Sequence, residues 1–326
     1  MTAAQVPLLP SSFDRDRTAA RLADLARQGV WIGTSSWKYP GWRGQIYDDA
    51  RYTWRGRFSQ TRFDRTCLGE YASTFKTVCV DAAYYKFPDV RYLEGLVSEV
   101  PADFRFAFKV TDEITIKRFP KLPRFGEKAG TENADFLNAD RFASDFLGPC
   151  TDFRQNIGLC IFEFSRFFPS DFSRGRDFVA ALDTFLGALP AGWPYGVEIR
   201  NRNFLHPEYF ATLARHGVTH VFNNWDAMPD IGDQLDLPGS VCNPRLVAAR
   251  FLLKSGRRYQ DAVDRFGPYD RVQEENPSGR AAGARLIRET LAQSGTRQAF
   301  VYVNNRFEGN APGTIAAMLE AAELPA

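Results

Sequence analysis

Charged side chains stand at the C-terminal ends of several strand-like segments in this 326-residue chain. Glu163, Glu198 and Arg200 close two of these segments, and Lys109 and Arg250 lie near the ends of two others. A charge in a strand that is buried on both faces is costly unless it lies at an end or has partners. The pattern therefore predicts a polar site where the C-terminal ends of parallel strands meet.

The alternation of side chains along a strand places these charges on one face of each segment. Each charge shares its face with a small residue: Glu198 and Arg200 with Gly196, Lys109 with Ala107, and Arg250 and Lys254 with Ala248. Small residues beside charges suit the narrow interior of a barrel, so we expect a pocket floor with cations in excess of carboxylates. The alternative is a buried ion network that stabilises the barrel, although desolvation makes such networks weak sources of stability.

Two carboxylates, Glu163 and Glu198, end neighbouring strands, which lie about 4.8 Å apart in a sheet. Such a pair can divide acid and base work when one pKa is raised and the other carboxylate is kept ionised by a cation. We interpret Glu198 as the general base, Lys109 as its electrostatic partner and Glu163 as the acid. Asp81, at the end of another strand, is a fourth candidate catalytic residue. Glycoside hydrolysis is one reaction that would use a carboxylate pair such as Glu163 and Glu198.

Closely spaced aromatic residues follow the first strand, within Trp31–Trp42. A loop that only had to turn would use polar residues rather than indoles. We therefore expect Trp37 to face the charges and to stack on a ligand together with Tyr85, with Ser35 leaving room for the ligand to approach. The alternative is that these aromatic side chains cap the hydrophobic core.

Anion binding is a second chemistry that the strand ends indicate. Barrels often bind phosphate with the loops after strands seven and eight and a nearby helix N-terminus. Here the seventh strand runs into Lys254 and a basic turn, and the eighth runs through Asn305 towards Pro312, a good first residue for a helix. We expect Arg200, Arg250 and Lys254 to hold negative charge and Asn305 to line the pocket. The alternative is a capped helix beside a solvated basic turn.

Eight strand-like segments, mostly separated by helical patterns, position these groups. They are Val30–Thr34, Thr77–Asp81, Phe104–Val110, Ile157–Phe164, Tyr195–Arg200, Val218–Asn223, Leu246–Lys254 and Ala299–Asn305. Alternating strands and helices require a parallel sheet covered on both faces, and eight repeats predict a single α/β (β/α)8 TIM barrel. An open doubly wound sheet is the competitor, but no glycine-rich phosphate loop follows the first strand.

Apolar spacing predicts the helices Phe63–Phe75, Phe178–Leu189, Pro207–His216, Ala281–Gln293 and Ala311–Leu319. We divide the chain into an N-terminal extension, residues 1–29, and a barrel domain, residues 30–322. The extension contains an amphipathic helix, Asp14–Gln28, that we expect to close the bottom of the barrel. Long loops after strand three (Thr111–Pro149) and strand seven (Ser255–Gly295) predict a lid or pocket wall, and Trp225–Pro244 shows no clear helix.

The composition limits the class of protein. Hydrophobic residues make up 44% and aromatic residues 14%, enough for a large core. The net charge of +2, from 41 basic and 39 acidic residues, gives no general reason to bind nucleic acid or a membrane. Met1–Pro10 lacks the features of a signal peptide, so we expect a cytoplasmic protein and leave its oligomeric state open.

Metal and cofactor chemistry has little support. The chain has three histidines and five cysteines, none in a metal-like spacing, and no serine in a nucleophile elbow. We predict no cofactor and no His-ligated metal. Magnesium binding by carboxylates alone, from Asp81, Glu163 and Glu198, has no further support in the sequence.

From Trp31 onwards the chain resembles the YecE-like family, the barrels of domain of unknown function 72. The resemblance rests on the order of many short motifs. They are Ile32-Gly33-Thr34-Ser35 with Trp37, Tyr39, Pro40, Gly41 and Trp42, then Tyr71-Ala72, Phe75-Lys76-Thr77-Val78, Asp81 to Tyr85, Phe106 to Lys109, Ile114-Thr115, Gly196 to Arg200, Asn304-Asn305, Gly309 and Ala311-Pro312. The resemblance implies a TIM barrel related to sugar-isomerase-like and endonuclease-like barrels, without an established activity.

The chain departs from this family pattern at several positions where the family usually has histidine. Ile116 follows Ile-Thr after strand three, Asn201 follows the Glu-x-Arg of strand five, and Leu252-Leu253 replaces a His-Gly pair after strand seven. Glu163 replaces a frequent glutamine, and Asp81 stands where asparagine is usual. The chain is therefore identified as a divergent member of the family, and roles of those histidines do not carry over.

These observations lead to one main hypothesis and two alternatives. The main hypothesis is an enzyme, of the hydrolase, lyase or isomerase type, that acts on a small polar molecule, anionic, phosphorylated or sugar-like. The first alternative is a nucleic-acid-binding or endonuclease-like barrel that uses basic residues of the insertions, such as Lys117 and Arg118. The second is a protein that binds a metabolite without turnover.

Overall fold

Segments rich in β-branched and aromatic residues form a closed barrel of eight parallel strands in the computed structural model, which describes residues 13–323. The strands are β1 (Val30–Ser35), β2 (Thr77–Val80), β3 (Arg105–Lys109), β4 (Ile157–Phe164), β5 (Tyr195–Ile199), β6 (Thr219–Asn224), β7 (Leu246–Phe251) and β8 (Gln298–Val303). They follow chain order around the barrel, and β1 pairs with both β8 and β2. The expected (β/α)8 TIM barrel is confirmed.

Helices follow the strands on the outside of the barrel. They are α1 (Arg15–Arg27), α2 (Gln60–Thr74), α3 (Val90–Ser98), α4 (Asp112–Thr115), α5 (Ala139–Arg141), α6 (Gly148–Cys150), α7 (Gly175–Ala188), α8 (Pro207–Arg215), α9 (Ile231–Leu235), α10 (Tyr259–Phe266), α11 (Pro277–Leu291), α12 (Asn305–Glu308) and α13 (Ala311–Glu323). Six of these helices were predicted, and the other seven had no predicted counterpart. The nine-residue α3 had no predicted counterpart, and the five-residue α9 lies in a segment where no helix was expected.

Period-two alternation divides the strand residues between an outer hydrophobic layer under the helices and the barrel interior. Phe106 and Phe108 belong to the outer layer, whereas Ala107 between them belongs to the interior cluster. Gly33 of β1 allows β2 to approach closely, since a Cβ atom there would lie 2.0 Å from the carbonyl oxygen of Thr77. The closed sheet therefore requires glycine at this position.

The lower half of the barrel interior, towards the N-terminal ends of the strands, is apolar. Trp31 and Phe300 are register partners on β1 and β8, and their rings stack with centroids 5.0 Å apart. Helix α1 contacts β1 and α2, with Leu22 and Leu25 in the outer hydrophobic cluster. The Trp31–Phe300 pair thus lies in the interior near the bottom, and closure of the bottom by α1 stays a prediction.

Two strands end two or more residues earlier than the sequence predicted. Strand β7 stops at Phe251, because Leu252 and Leu253 turn away to pack with α10. Strand β8 stops at Val303, because Asn304 caps α12. Residues 1–12 of the expected N-terminal extension lie outside the described residues. Within residues 13–323, no helix combines the length and apolarity needed to span a bilayer.

Candidate active site

Six charged side chains meet in the barrel interior at the C-terminal ends of the strands, and we call this group the ionic layer. It consists of Asp81 after β2, Lys109 of β3, Glu163 of β4, Glu198 of β5, Arg200 after β5, and Arg250 of β7. Glu163 and Glu198 are register partners on neighbouring strands, as their spacing predicted. The ionic layer lies above the apolar lower interior.

Glu163 has three cationic partners. Its Oε2 atom lies 2.6 Å from Lys109 Nζ, 3.2 Å from Arg200 Nη2 and 3.3 Å from Arg250 Nη1. Burial alone would raise the pKa of this carboxyl, but the three neighbouring cations outweigh burial and lower it. A general acid needs a raised pKa, so the structure gives Glu163 the properties of a fixed anion rather than those of the expected acid.

Glu198 is held between two guanidinium groups. Its Oε2 atom accepts a hydrogen bond from Arg250 Nη1 at 2.8 Å, and its Oε1 atom lies 2.5 Å from Arg200 Nη2 without hydrogen-bond geometry. The side chain is 0% exposed. A general base must reach the proton that it removes, so this burial does not support the role expected for Glu198. Its contacts are those of a residue that positions both arginines.

The open side of the ionic layer is formed by Asp81 and Lys109. The Asp81 side chain is 35% exposed, and its Oδ1 atom lies 3.4 Å from Arg250 Nη2. Lys109 Nζ lies 3.9 Å from the centre of the Tyr84 ring. Burial opposes the charged form of Lys109, but Glu163 and Asp81 outweigh it and raise the lysine pKa. Lys109 therefore stays cationic, next to the most accessible carboxylate of the layer.

Charge in the ionic layer is balanced. Three cations face three carboxylates, and every cation has a carboxylate partner within 4 Å. The expected excess of cations is wrong, because Asp81 and Glu163 both turn towards the same arginine. A balanced layer has no unpaired positive charge to attract a phosphate group.

Several buried polar atoms in and beside this layer have no hydrogen-bond partner among the described residues. They include Ser35 Oγ, Asn223 Oδ1, Arg200 Nε and Arg250 Nε. Ser35 continues the inward face of β1, and Asn223 is the register partner of Arg250. Because an unpaired buried polar atom costs about 1–3 kcal/mol, such atoms usually have partners or mark functional sites. These donors and acceptors could therefore hydrogen-bond to a ligand at this end of the barrel.

Comparison with known proteins identifies the family. The family model described as "Protein of unknown function DUF72" matches residues 31–326. The chain belongs to the DUF72 family. The UPF0759 protein YecE of Escherichia coli K12 is 25% identical over 182 residues, which cover 56% of this chain and 50% of YecE. The chain thus spans about half the length of the curated relatives that it matches.

Solved DUF72 structures share the fold. The Enterococcus faecalis V583 protein EF0366 superposes with a TM-score of 0.60 at 20% identity, covering 91% of this chain and 96% of the other. The Thermotoga maritima MSB8 protein TM1631 superposes with a TM-score of 0.54 at 18% identity, covering 89% and 97%. At these identities the similarity shows the barrel fold, and the expected resemblance is confirmed.

Two aromatic residues of this DUF72 barrel that were predicted to stack on a ligand lie outside the ionic layer. Trp37 is buried in the large hydrophobic cluster, which fits the alternative that it caps the core. Tyr85 is 64% exposed, and its ring lies 5.1 Å from the Arg124 guanidinium. The short 3-10 turn Ala82–Tyr84 directs Tyr84 rather than Tyr85 towards Lys109.

Two further predicted binding residues also lie elsewhere. Lys254 is half-exposed and pairs with Glu274 at 3.0 Å, because β7 ends three residues earlier and the chain turns outwards. Asn305 accepts hydrogen bonds from the Trp42 indole and the backbone N–H of Ala311. The Asn304 side chain, one residue earlier, caps α12 by accepting a hydrogen bond from the backbone N–H of Arg306. A ligand-binding role for Asn305 stays a prediction.

The sequence analysis did not select two aromatic residues that contact the ionic layer. Tyr84 covers Lys109, and burial together with Glu163 raises the pKa of Tyr84 to about 12. Trp225 lies with its ring 4.3 Å from the Arg200 guanidinium. The position of Trp225 directly after β6 could have identified it from the sequence. Tyr84 could not be distinguished from Tyr85 in this way, because only the 3-10 turn decides which of the two rings faces Lys109.

Histidine contributes little to this site. His220 lies at the beginning of β6, where the sequence placed it, and contacts Tyr209 and Gln234. Burial lowers the pKa of His220 to about 4, so the ring is neutral at pH 7. Across residues 13–323, no group of three or more His, Cys, Asp or Glu side chains is arranged to hold a metal ion.

Proposed function

We propose that this DUF72 barrel is an enzyme that binds a small, neutral, hydroxyl-rich molecule of the sugar class at the open side of the ionic layer. The charge balance of the layer supports this choice, because each cation already has a carboxylate partner. A phosphorylated ligand would need cations in excess, whereas hydroxyl groups can donate to Asp81 and accept from Lys109. The unpaired polar atoms nearby, including Ser35 Oγ and Asn223 Oδ1, suit the same ligand.

In this proposal Asp81 is the general base and Lys109 stabilises the developing negative charge. Asp81 is the most exposed carboxylate of the layer, so it can reach a substrate proton. Lys109 is cationic and faces the same open side, where a fixed charge lowers the free energy of an oxyanion. Proton removal beside a cation serves isomerase, lyase and hydrolase reactions. Glu163, Glu198 and Arg250 act as positioning residues.

Aromatic side chains complete the proposed site. The ring of Tyr84 covers Lys109, and that of Trp225 covers Arg200. Both limit access of water to the charges beneath them, which strengthens electrostatic interactions in the site. A sugar ring has apolar C–H faces that pack well on such rings.

The test is a ligand and activity screen on the full chain. Neutral sugars and polyols are compared with the corresponding sugar phosphates by calorimetry, and turnover of mixtures is followed by NMR. We expect neutral ligands to bind and Asp81→Asn to lower turnover about 10²- to 10⁴-fold. Asp103→Asn is the matched control, because Asp103 is exposed and precedes β3 at the opposite end of the barrel. The control should retain full activity.

Three results would overturn the proposal. Binding of sugar phosphates but not of neutral sugars would show that the site has unpaired positive charge. Tight binding of a neutral sugar without turnover would favour the metabolite-binding alternative. Salt-dependent binding of an oligonucleotide that competes with the sugar would favour a nucleic-acid-binding barrel.

A cytoplasmic location is part of the same proposal. The five cysteines are all unpaired and buried, as expected for small apolar side chains in a reducing compartment. Cell fractionation with an antibody to the chain would test it. Recovery with the membrane or an extracellular fraction would contradict this location.

A further inference from the structure

A cavity of about 460 Å³ lies between the loop after β3 and the loop after β4, apart from the ionic layer. We call it the loop cavity. Apolar side chains form much of its lining, and basic side chains lie among them: Ile116, Phe119, Pro120, Phe167 and Phe168, with Lys117, Arg118, Lys121 and Arg166. Small-molecule sites commonly enclose about 300–1,000 Å³ and combine an apolar lining with a few polar groups.

Positive charge in the loop cavity is largely unpaired. Lys117 has an acidic partner, Glu132, at 3.3 Å. Within residues 13–323, Arg118, Lys121 and Arg166 have no acidic side chain at ion-pair distance. The cavity therefore has the cation excess that the ionic layer lacks, and it attracts negative charge.

Asp171, the acidic residue among those that line the cavity, offsets only one of the cationic charges. Asp171 accepts a hydrogen bond from the backbone N–H of Phe168 at 2.9 Å, so its carboxylate is engaged within its own loop. Arg118 donates to the carbonyl oxygen of Gly130, which leaves its charge uncompensated. The cavity offers several cationic donors to one ligand.

A buried hydroxyl adds a second, independent observation. Thr115 lines the cavity and is 1% exposed, and its Oγ1 atom has no hydrogen-bond partner among the described residues. An unpaired buried hydroxyl is unfavourable unless a ligand group satisfies it. A polar atom of a bound molecule would do so.

The apolar lining is exposed where it meets the cations. Phe168 is 56% exposed, and its ring lies 5.8 Å from the Arg166 guanidinium. Phe167 and Phe119 lie deeper and are buried. An exposed aromatic ring beside unpaired cations suits a ligand that is apolar along its length and charged at one end.

We infer that the loop cavity binds a small carboxylate with an apolar body, of the medium-chain acyl or aryl class. The carboxylate pairs with Arg118, Lys121 and Arg166, and the apolar body packs on the phenylalanine rings. This site does not depend on the proposed sugar-class site, which lies at the ionic layer. A macromolecule is less suited, because the cavity has the volume of one small molecule.

The probes are octanoate, 1-octanol and acetate, titrated into the full chain by calorimetry. Octanoate has both required features, octanol lacks the charge, and acetate lacks the apolar body. We expect octanoate to bind at least tenfold more tightly than either. Arg166→Gln should weaken octanoate about five- to tenfold, whereas Arg258→Gln, at an exposed arginine on the loop after β7, should change nothing.

A second variant tests the buried hydroxyl. Thr115→Val keeps the shape of the side chain and removes its oxygen, so it should weaken octanoate severalfold without lowering the melting temperature. Equal binding of octanol and octanoate, or equal effects of the two arginine variants, would overturn the inference. Displacement of octanoate by a single-stranded oligonucleotide at lower concentration would instead indicate a nucleic-acid surface. Asp81→Asn should leave octanoate binding unchanged, so this test is separate from that of the sugar-class site.

Discussion

The two halves of the barrel interior use the same strands for opposite purposes. The lower half is filled by apolar side chains, including Trp31 stacked on Phe300, and the upper half by the ionic layer. Apolar burial stabilises the fold, whereas desolvated charges stabilise it little even when they are paired. The strands therefore hold the barrel together at one end and position chemical groups at the other.

Removal of one member of the ionic layer should have the largest effect on stability. Glu198→Ala removes one of the two carboxylates that Arg200 and Arg250 share and leaves both arginines buried, and we expect a loss of about 3–5 kcal/mol. Urea denaturation measures this loss. Glu289→Ala, which breaks a half-exposed pair with Arg285, is the control and should cost about 0.3–0.5 kcal/mol. Equal losses in both variants would mean that the ionic layer is solvated.

A cavity in the lower half should cost somewhat less and respond differently to salt. Leu159 is fully buried in the interior cluster, so Leu159→Ala should lower the free energy of unfolding by about 2–5 kcal/mol. The loss should be the same at low and high salt, and ligand binding at the ionic layer should persist. A loss of binding without a loss of stability would contradict the separation of the two halves.

Acid should destabilise the protein in two steps. Burial lowers the pKa of His220 from 6.5 to about 4, so its stabilising contribution is complete above pH 6.5 and is lost as the pH falls towards 4. The pKa of Glu163 is lowered by three cations, so its contribution is lost only below about pH 4.5. Between pH 7 and pH 5 we expect a loss of about 2 kcal/mol from His220.

Urea denaturation across this pH range separates the two groups. His220→Gln should abolish the first step, and Glu163→Gln should reduce the second. His206→Gln is the control, because His206 is exposed before α8. If stability were unchanged between pH 7 and pH 5, the burial of His220 could not have the effect described here.

The smallest effect is expected at the edge of the ionic layer. The buried hydroxyl of Ser35 has no hydrogen-bond partner within residues 13–323, so Ser35→Ala should change stability by less than about 1 kcal/mol and in the stabilising direction. Thermal unfolding would measure this change. If the hydroxyl binds the ligand, Ser35→Ala also weakens sugar binding. If Ser35→Ala instead lowers stability and retains the affinity for the sugar, the role of Ser35 is structural.

Much of the fold could be predicted because its signals are local. All eight strands were predicted, with Ile157–Phe164 correct to the residue, since long apolar runs are unambiguous. Errors lie at strand ends, such as Lys254 and Asn305, where a change of direction depends on packing against α10 or on the cap of α12. The nine-residue α3 was missed although its apolar spacing is as regular as that of α8, which is equally short and was predicted.

For the candidate site, residue types and alternation brought Lys109, Glu163, Glu198, Arg200 and Arg250 to one place. What alternation could not decide was which charges pair and which side chain stays open to solvent. Those properties depend on side-chain reach across the barrel, as when Arg250 on β7 meets both Glu163 on β4 and Asp81 after β2.

The barrel and the end at which charges collect could be predicted from the sequence, because they follow from the order of the strands and their period-two alternation, and the family could be predicted from the resemblance of short motifs. The folded structure was needed to show that the charges cancel, that Glu198 is buried and that Asp81 is accessible. It also shows cations that have no acidic partner among residues 13–323 in the lining of the loop cavity. Ion pairing and burial are set by distances between groups far apart in the chain, and a linear pattern does not contain them.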